Sequence, residues 1–583
     1  MAVENVITDH LDIWTAAIKT KSAAGRGSSK KLELVGVKKL RELILELAVR
    51  GKLVLQDPND EPASELLKKV AAEKASLLAE GKIKKQKSLA PITDEEKPFE
   101  LSEGWEWVKL GEITVLENGD RSKRYPNESD LQADGVPFFG AKEMVDNVLQ
   151  INEGLRFITP QKFSELSNGK LKDKDFVILL RGYVGKIAQF RATDEYSTGF
   201  INAQMLIIRL IEKSLSEYFR IFSKSLFFQN AVASKVTGSA VSQMPASEIL
   251  KFLVPMPPIE EQYGIVAKVD ELMVLCDQLE AQTEASIDAH KTLVEVLLAT
   301  LTDAKDTDEL NDNWQTISQH FDVLFTTQAS IDQLKQTILQ LAVMGKLVKQ
   351  DPKDEPASKL LERIATEKQQ LIKDKKYQKS SKLKPKINSV KYPINWVEVQ
   401  TGEVCPSIVP NRDRPKSFTG KIPWVTLPSF PKSSWYLRND DVELGLTSDE
   451  IKLYSARLIP KNSVLMSCVG RFGLTAINLE PVSSNQQVHA FIVLDGLIPE
   501  YLSIVIQTAG RALESASTTT TIPYLNKTNC ESIQFGLPPI AEQHRIVSKV
   551  DELMALCDSL KARLNQAQTT QLHLTDAIVE QAL

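Results

Sequence analysis

Two blocks of this chain are each written twice, and the copies bracket stretches that have diverged. Leu-Ala-Val-Arg-Gly-Lys-Leu-Val at residues 47–54 returns as Leu-Ala-Val-Met-Gly-Lys-Leu-Val at 341–348, so that Gly51 recurs 294 positions later as Gly345. Gln56-Asp57-Pro58 and Asp60-Glu61-Pro62-Ala63-Ser64 recur with it as Gln350-Asp351-Pro352 and Asp354-Glu355-Pro356-Ala357-Ser358. The second block runs Pro257-Pro258-Ile259, Glu261-Gln262 and then Lys-Val-Asp-Glu-Leu-Met from Lys268. It returns 281 positions later at Pro538-Pro539-Ile540, Glu542-Gln543 and Lys549. Self-similarity on this scale means one supersecondary unit built twice. The chain therefore needs a common scaffold that carries two different heads.

The repeated blocks have helical spacing. Val37, Leu40, Ile44 and Leu47 fall on one face, as do Ile331, Leu334, Ile338 and Leu341, and Gly51 and Gly345 stand where such helices would be capped. In the second block Ile265, Val269, Leu272, Cys276 and Leu279 alternate steps of four and three, and Ile546, Val550, Leu553, Cys557 and Leu560 repeat the pattern. Such a seam is narrow and calls for pairing with another helix. The Pro-Pro pairs mark the helix starts, because proline is tolerated in a first turn and not inside a helix.

Between the blocks the character changes. Runs such as Phe176–Leu180, Met205–Leu210, Ser463–Met466 and Ala490–Leu494 are strand-length and are broken by turn residues. The expected class is α+β with an internal two-fold repeat. Residues 1–100 would be a helical region and lysine-rich connector, 101–256 a first head, 257–391 a central helical scaffold and connector, 392–537 a second head and 538–583 a final helix. The lysine runs, Lys82–Lys97 and Lys373–Lys391, are read as solvated linkers, and residues 20–31 as a flexible loop.

The heads are diverged copies of each other. Gly182-Tyr183-Val184-Gly185 lines up with Gly470-Arg471-Phe472-Gly473, and Asn202-Ala203-Gln204 with Asn485-Gln486-Gln487. Asp120-Arg121-Ser122-Lys123 lines up with Asp413-Arg414-Pro415-Lys416. Arg, Lys and Gln are the side chains that bond to base edges and phosphates. The candidate DNA-contacting residues are Arg121, Lys123, Arg124, Arg181, Lys186 and Gln204 in the first head, with Arg412, Arg414, Lys416, Arg471, Gln486, Gln487 and Lys527 in the second. Trp105, Trp107 and Trp396 read as core anchors, whereas Trp424 and Trp435 are left open.

Composition narrows the function further. A net charge of −5 argues against a protein that coats itself in nucleic acid by bulk charge, so any DNA binding must be local. No run of the sequence reaches the ~18–20 apolar residues of a membrane helix, and no secretory pattern opens it. Five scattered cysteines suit reduced thiols in a cytoplasm. Neither Pro-Pro pair carries the Asn/Asp and aromatic that hold an adenine amine for methylation. No P-loop and no histidine metal spacing is present, and Glu80-Gly81-Lys82 is a chance match to a nuclease triplet in a lysine-rich helix end. No catalytic and no metal site is expected. A diverged enzyme and a helical interaction scaffold without a DNA role are the competing readings.

The scaffold motifs, with Gly104-Trp105-Glu106-Trp107 opening one head and Ile522-Pro523-Tyr524-Leu525-Asn526-Lys527 closing the other, resemble the specificity subunits of type I restriction-modification systems, in their longer-subunit subfamily. The first head departs at the close, with Val241-Ser242-Gln243-Met244-Pro245. The resemblance implies two α/β target-recognition domains separated by long antiparallel coiled-coil helices, each domain reading half of a split site on double-stranded DNA. It also implies two modification subunits and motor-nuclease restriction subunits as partners. S-adenosylmethionine, ATP and magnesium would be held by those partners and no cofactor by this chain. A scaffold helix of about 25 residues would rise ~37 Å, close to one turn of B-DNA.

Overall fold

A computed structural model describes residues 3–21, 31–84, 88–238, 242–305, 307–377, 379, 382–387, 391–409, 411, 413–432, 434–515 and 524–583. Six helices carry the scaffold: α1 (Val35–Val49), α2 (Ala63–Ala79), α3 (Ile259–Asp303), α4 (Gln328–Val343), α5 (Ala357–Lys373) and α6 (Ile540–Ala582). The chain forms two compact units, residues 1–285 with 568–583, and residues 286–567. α3 and α6 each give their N-terminal part to one unit and their C-terminal part to the other.

In the first unit α1 buries Val37, Leu40, Ile44 and Leu47. Its Arg41 pairs with Asp277 and Glu280 of α3, at 2.7 and 2.6 Å, and its Lys39 pairs with Asp576 of α6. In the second unit α4 buries Ile331, Leu334, Ile338 and Leu341. Lys335 pairs with Asp558 at 2.5 Å and Asp332 with Lys561 at 3.0 Å, both on α6. Arg41 and Lys335 occupy one position of the repeat, as do Asp277 and Asp558. Beyond the capping glycines, Lys52 donates to the carbonyl of Leu583 in the first unit, and Lys346 donates to those of Thr302 and Ala304 in the second. Each unit thus holds one short repeat helix against the start of one long helix and the end of the other, and these two segments run in opposite directions within it.

The seam falls where its spacing places it. Ile265, Val269, Leu272 and Cys276 are buried, as are Ile546, Val550, Leu553 and Cys557, while Leu279 and Leu560 are half-buried. In the second unit the seam packs against Ile331, Leu334 and Ile338 of α4. The expected helix length is corrected: α3 has 45 residues and α6 has 43. Their seams lie within the first half, and the later part continues into the other unit.

Each head is closed at its neck by a two-stranded antiparallel ladder, Glu106–Lys109 with Leu253–Met256 and Val397–Gln400 with Gln534–Leu537. The first head has a six-stranded sheet in the order Thr114–Asn118, Met205–Leu210, Phe176–Leu179, Ile187–Gln189, Val148–Leu149, Met144–Val145. The second repeats the first five places with Ser407–Ile408, Val488–Phe491, Val464–Ser467, Thr475–Asn478 and Tyr436–Leu437. The central strands Phe176–Leu179 and Val464–Ser467 are buried along their whole length, which is why they read as unbroken apolar runs rather than as alternation.

Two linker expectations change. The described parts of the connectors lie along the necks: Lys384 N–H donates to Ser532, and Gln400 donates to the Lys384 carbonyl. Lys109 likewise donates to the Ala90 carbonyl at 3.1 Å. The backbone is therefore pinned by neck residues while most of the lysines remain exposed. Residues 18–21 and 31–34 pair as a hairpin, so the segment read as a loop begins and ends in strands, and its residues 22–30 lie outside the described ones.

Candidate nucleic-acid interface

The neck explains the repeated motifs. Gly51 ends α1 at φ +69°, and a Cβ there would come within 2.5 Å of the Ser102 hydroxyl and 3.1 Å of the Trp105 ring. Gly345, at φ +74°, stands 2.5 Å by the same measure from Pro393 and 3.1 Å from the Trp396 ring. Only glycine allows both the turn and the close approach of the indole. The Trp105 indole N–H reaches the Glu261 carboxylate of α3, and Gln262 of the same motif donates to the Pro257 carbonyl at 2.9 Å. In the second unit Gln350 donates to Glu542 at 2.6 Å, and Gln543 donates to the Pro538 and Gly496 carbonyls. Burial pushes the Glu261 and Glu542 carboxyls up, and their hydrogen-bond donors work against that rise.

Above the necks, both heads build the same hydrogen-bonded frame. In the first, Leu180 N–H donates to the Gln204 carbonyl at 3.0 Å, and Met244 N–H donates to the Leu180 carbonyl at 3.0 Å. In the second, Cys468 N–H donates to the Gln487 carbonyl and Leu525 N–H to the Cys468 carbonyl, both at 2.8 Å. Arg181 forms a bridge with Gln243, and Val469 forms one with Tyr524. The first head's divergent closing segment, from Gln243 to Pro245, therefore takes the place of Tyr524 to Asn526. Its different sequence does not change the path of the backbone.

A concave pocket of about 260 Å³ opens on this frame in the first head, lined by Asn118, Arg121, Arg181, Thr237 and Gln243 over Leu180 and Met244. Arg121 donates to the Ala203 carbonyl from Nε and Nη2, at 3.3 and 3.1 Å. Its neighbour Asp120 is buried. Burial works against its charge, but N–H donors from Ser122 and Ser167 outweigh it and hold the carboxyl below its ordinary range. That turn fixes where Arg121 leaves the backbone. Among the described residues no carboxylate pairs with Arg121, Lys123, Arg181 or Arg471, so these cations are available to an anionic partner.

The other candidates divide. Gln204 is exposed beside the pocket, Arg471 is exposed in the loop of the second frame, and Gln486 is exposed next to it. Gln487 is half-buried and accepts from Asn485. Arg124 and Lys186 donate to the carbonyls of Glu165 and Ala141. Lys527 pairs with the buried Glu531 at 3.5 Å, so its charge already has a partner. Arg414 lies over the Phe418 ring at 5.4 Å and Lys416 is exposed; Arg412 lies outside the described residues. Asn118, Thr237 and Gln243 were missed. Only the alignment of Gln243 with Tyr524 in the closing segment could have drawn attention to one of them.

The remaining aromatics and acids are structural. Trp105, Trp396 and Trp424 are buried, Trp107 stacks by its edge on Phe99, and Trp435 donates to Asp551 at 2.7 Å. Glu80 and Lys82 of the nuclease-like triplet pair with each other at 2.6 Å on the surface. Among the described residues no group of three or more His, Cys, Asp or Glu could hold a metal ion, and no helix is long and apolar enough to cross a membrane.

Residues 102–289 and 393–569 each match the family described as the type I restriction modification DNA specificity domain. The chain belongs to that family. The specificity subunits of the type I restriction enzymes EcoEI and EcoAI, both from Escherichia coli, are 39% and 38% identical to it, over the full length of both chains in each case. A solved HsdS subunit from Thermoanaerobacter tengcongensis is 17% identical, with a TM-score of 0.40, covering 84% of this chain and 98% of that one. The two family matches each contain one head and the opening of one long helix, so the family's unit of repetition includes both a frame and the seam below it.

Proposed function

We infer that this chain is the recognition subunit of a type I restriction-modification complex, and that each head reads one half of a bipartite site on double-stranded DNA. Its part is sequence recognition rather than catalysis, and both adenine methylation and restriction depend on it. The observation that carries this reading is the frame itself. One hydrogen-bonded arrangement occurs twice on repeated scaffolds and presents different exposed side chains each time, as two different half-sites require. α3 and α6, shared between the units, set the spacing between the halves.

The partners are modification and restriction subunits. Two copies of the modification subunit fit the repeat. Leu275 and Leu556 are each 48% exposed at the same position of the long helices, and Leu293 and Leu574, 51% and 42% exposed, form a second matched pair. An apolar residue left in solvent at the same place in both copies suits one kind of partner bound twice. S-adenosylmethionine, ATP and magnesium would act on those partners, in the cytoplasm.

Single-molecule sequencing of DNA from cells expressing the full system tests the reading. The expected result is a split motif with a methylated adenine in each half. A single uninterrupted motif, or methylation independent of this chain, would overturn it.

A further inference from the structure

We propose that three positions on the common frame decide which base pairs each head selects: Arg181, Tyr183 and Gln243 in the first head, and their counterparts Val469, Arg471 and Tyr524 in the second. This deepens the reading of the heads as half-site readers and rests on it. The equivalence is set by backbone bonds rather than by sequence likeness. Arg181 and Val469 each follow the residue that joins the two neighbouring segments, and each bridges to the third position, Gln243 or Tyr524. The loop between them turns on Gly182 and Gly185 in one head, at φ +78° and +87°, and on Gly470 and Gly473 in the other, at +79° and +77°. Tyr183 and Arg471 therefore stand at the same point of the same turn.

The frame is held by backbone hydrogen bonds through Leu180 and Cys468, which no side chain supplies, so the side chains on it can change without a change of fold. They do change, and in chemical kind. The guanidinium sits at the first position in one head and two residues along, at Arg471, in the other. The phenol sits at the loop in the first head and on the opposite segment in the second. Tyr183 and Tyr524 are 81% and 55% exposed, and Arg181, Gln243 and Arg471 are exposed as well, whereas Val469 is half-buried against the core, so that in the second head selection falls to the other two positions. The first head thus displays a cation and an amide as cross-segment neighbours with a phenol beside them. The second displays a cation and a phenol.

These groups have distinct partners in the major groove. A guanidinium gives two parallel N–H donors to O6 and N7 of guanine, a glutamine amide matches N6 and N7 of adenine, and a ring packs against the thymine methyl. The assignment is guanine for Arg471 in the second half-site, and a step containing guanine and adenine for the Arg181–Gln243 pair in the first. Tyr183 and Tyr524 cover an adjacent base pair by apolar contact.

The test uses the whole complex, with modification subunits, on duplex libraries randomised one half-site at a time. Arg471→Ala should lower discrimination at a single base pair of the second half by about 5- to 150-fold, with the first half unchanged. Arg471→Lys should recover only part of it, because an ammonium cannot bond in the same bidentate way. Gln243→Ala and Tyr183→Ala should relax the first half alone. Melting temperatures within a degree or two of the parent would confirm that these exposed substitutions leave the fold intact. Equal loss of affinity for every duplex would mark these side chains as phosphate contacts and overturn the proposal, as would unaltered preferences. If the parent complex selects a split site while the variants keep its preferences, only these positions fail. If the parent shows no half-site preference, the reading of the heads fails first.

Discussion

The Trp105 indole N–H donates to the Glu261 carboxylate at 2.8 Å, tying the first residues of a head to the first turn of a long helix. Gln56 bonds to the same carboxylate, and its amide also donates to the Gly51 carbonyl at 3.3 Å. In the second unit Gln350 joins Glu542 to the Gly345 carbonyl, and Trp396 lies against the same carboxylate. The glutamate of the Pro-Pro-Ile-x-Glu-Gln motif is therefore a neck anchor, and the motif is kept in both halves because both necks are made in this way.

Replacing Trp105 with Phe keeps an aromatic ring in the neck and removes the donor. The buried Glu261 carboxylate then loses one of its hydrogen bonds, at a cost of about 1–3 kcal/mol. Chemical denaturation followed in the full chain should show an early transition for the first unit. A denaturation midpoint equal to the parent's would show that the bond contributes nothing.

Arg121→Ala combined with Lys123→Ala should weaken recognition of one half-site and spare the other, since both residues sit on the turn fixed by Asp120 in the first head. The measurement is binding of the assembled complex to duplexes mutated in either half. Equal loss for both halves would contradict the assignment of this turn to one head.

His489 gives the second head a pH dependence. Burial holds its imidazole down to about 4, with Glu531 opposing and Lys527 adding to the shift. Above the ordinary value of about 6.5 the ring is neutral in both folded and unfolded chains, and the native state keeps its full stability. Below that value the unfolded chain takes up a proton that the folded ring refuses, so stability falls as pH drops from about 6.5 toward 4. The expected loss from pH 7 to 5 is roughly 1–2 kcal/mol. His489→Gln should flatten that part of the profile, measured as unfolding midpoints against pH; an unchanged slope would assign the dependence to other groups.

Leu556→Asp should remove one bound modification subunit and leave the other, and Leu275→Asp should do the same at the matching place. Native mass spectrometry of the reconstituted complex reads the count directly. Retention of both subunits in the double variant would rule these leucines out of the contact.

The scaffold was largely legible in the sequence because its physics is periodic. Ile265 to Cys276 and Ile546 to Cys557 bury at the predicted steps, and Gly51 and Gly345 end their helices as expected. Helix length was not legible, because the later parts of α3 and α6 serve a different unit and carry a different pattern. Strands with uniform burial were found, with Met205–Leu210 exact, but the run at Ala490–Leu494 is displaced to Val488–Phe491 because Leu494 and Leu497 leave the sheet to pack before the next helix. The interface was legible only in part. A candidate without a carboxylate partner, such as Arg121, and an occupied cation such as Lys527 look alike as letters, and what separates them is Glu531, placed four residues on by a helical turn.

The bond from Lys52 to the Leu583 carbonyl spans 531 positions of chain. On a ribosome adding 5–20 residues each second, the first unit would wait roughly half a minute to two minutes for the segment that completes it. Until then the face of α1 that α6 covers is open, and a nascent chain carries that vulnerability while the 531 positions between the two partners are made. In the second unit α4 also waits for α6, but the Lys335–Asp558 pair spans only 223 positions. Maturation is therefore ordered against the direction of translation, with the half made first being the last to be finished.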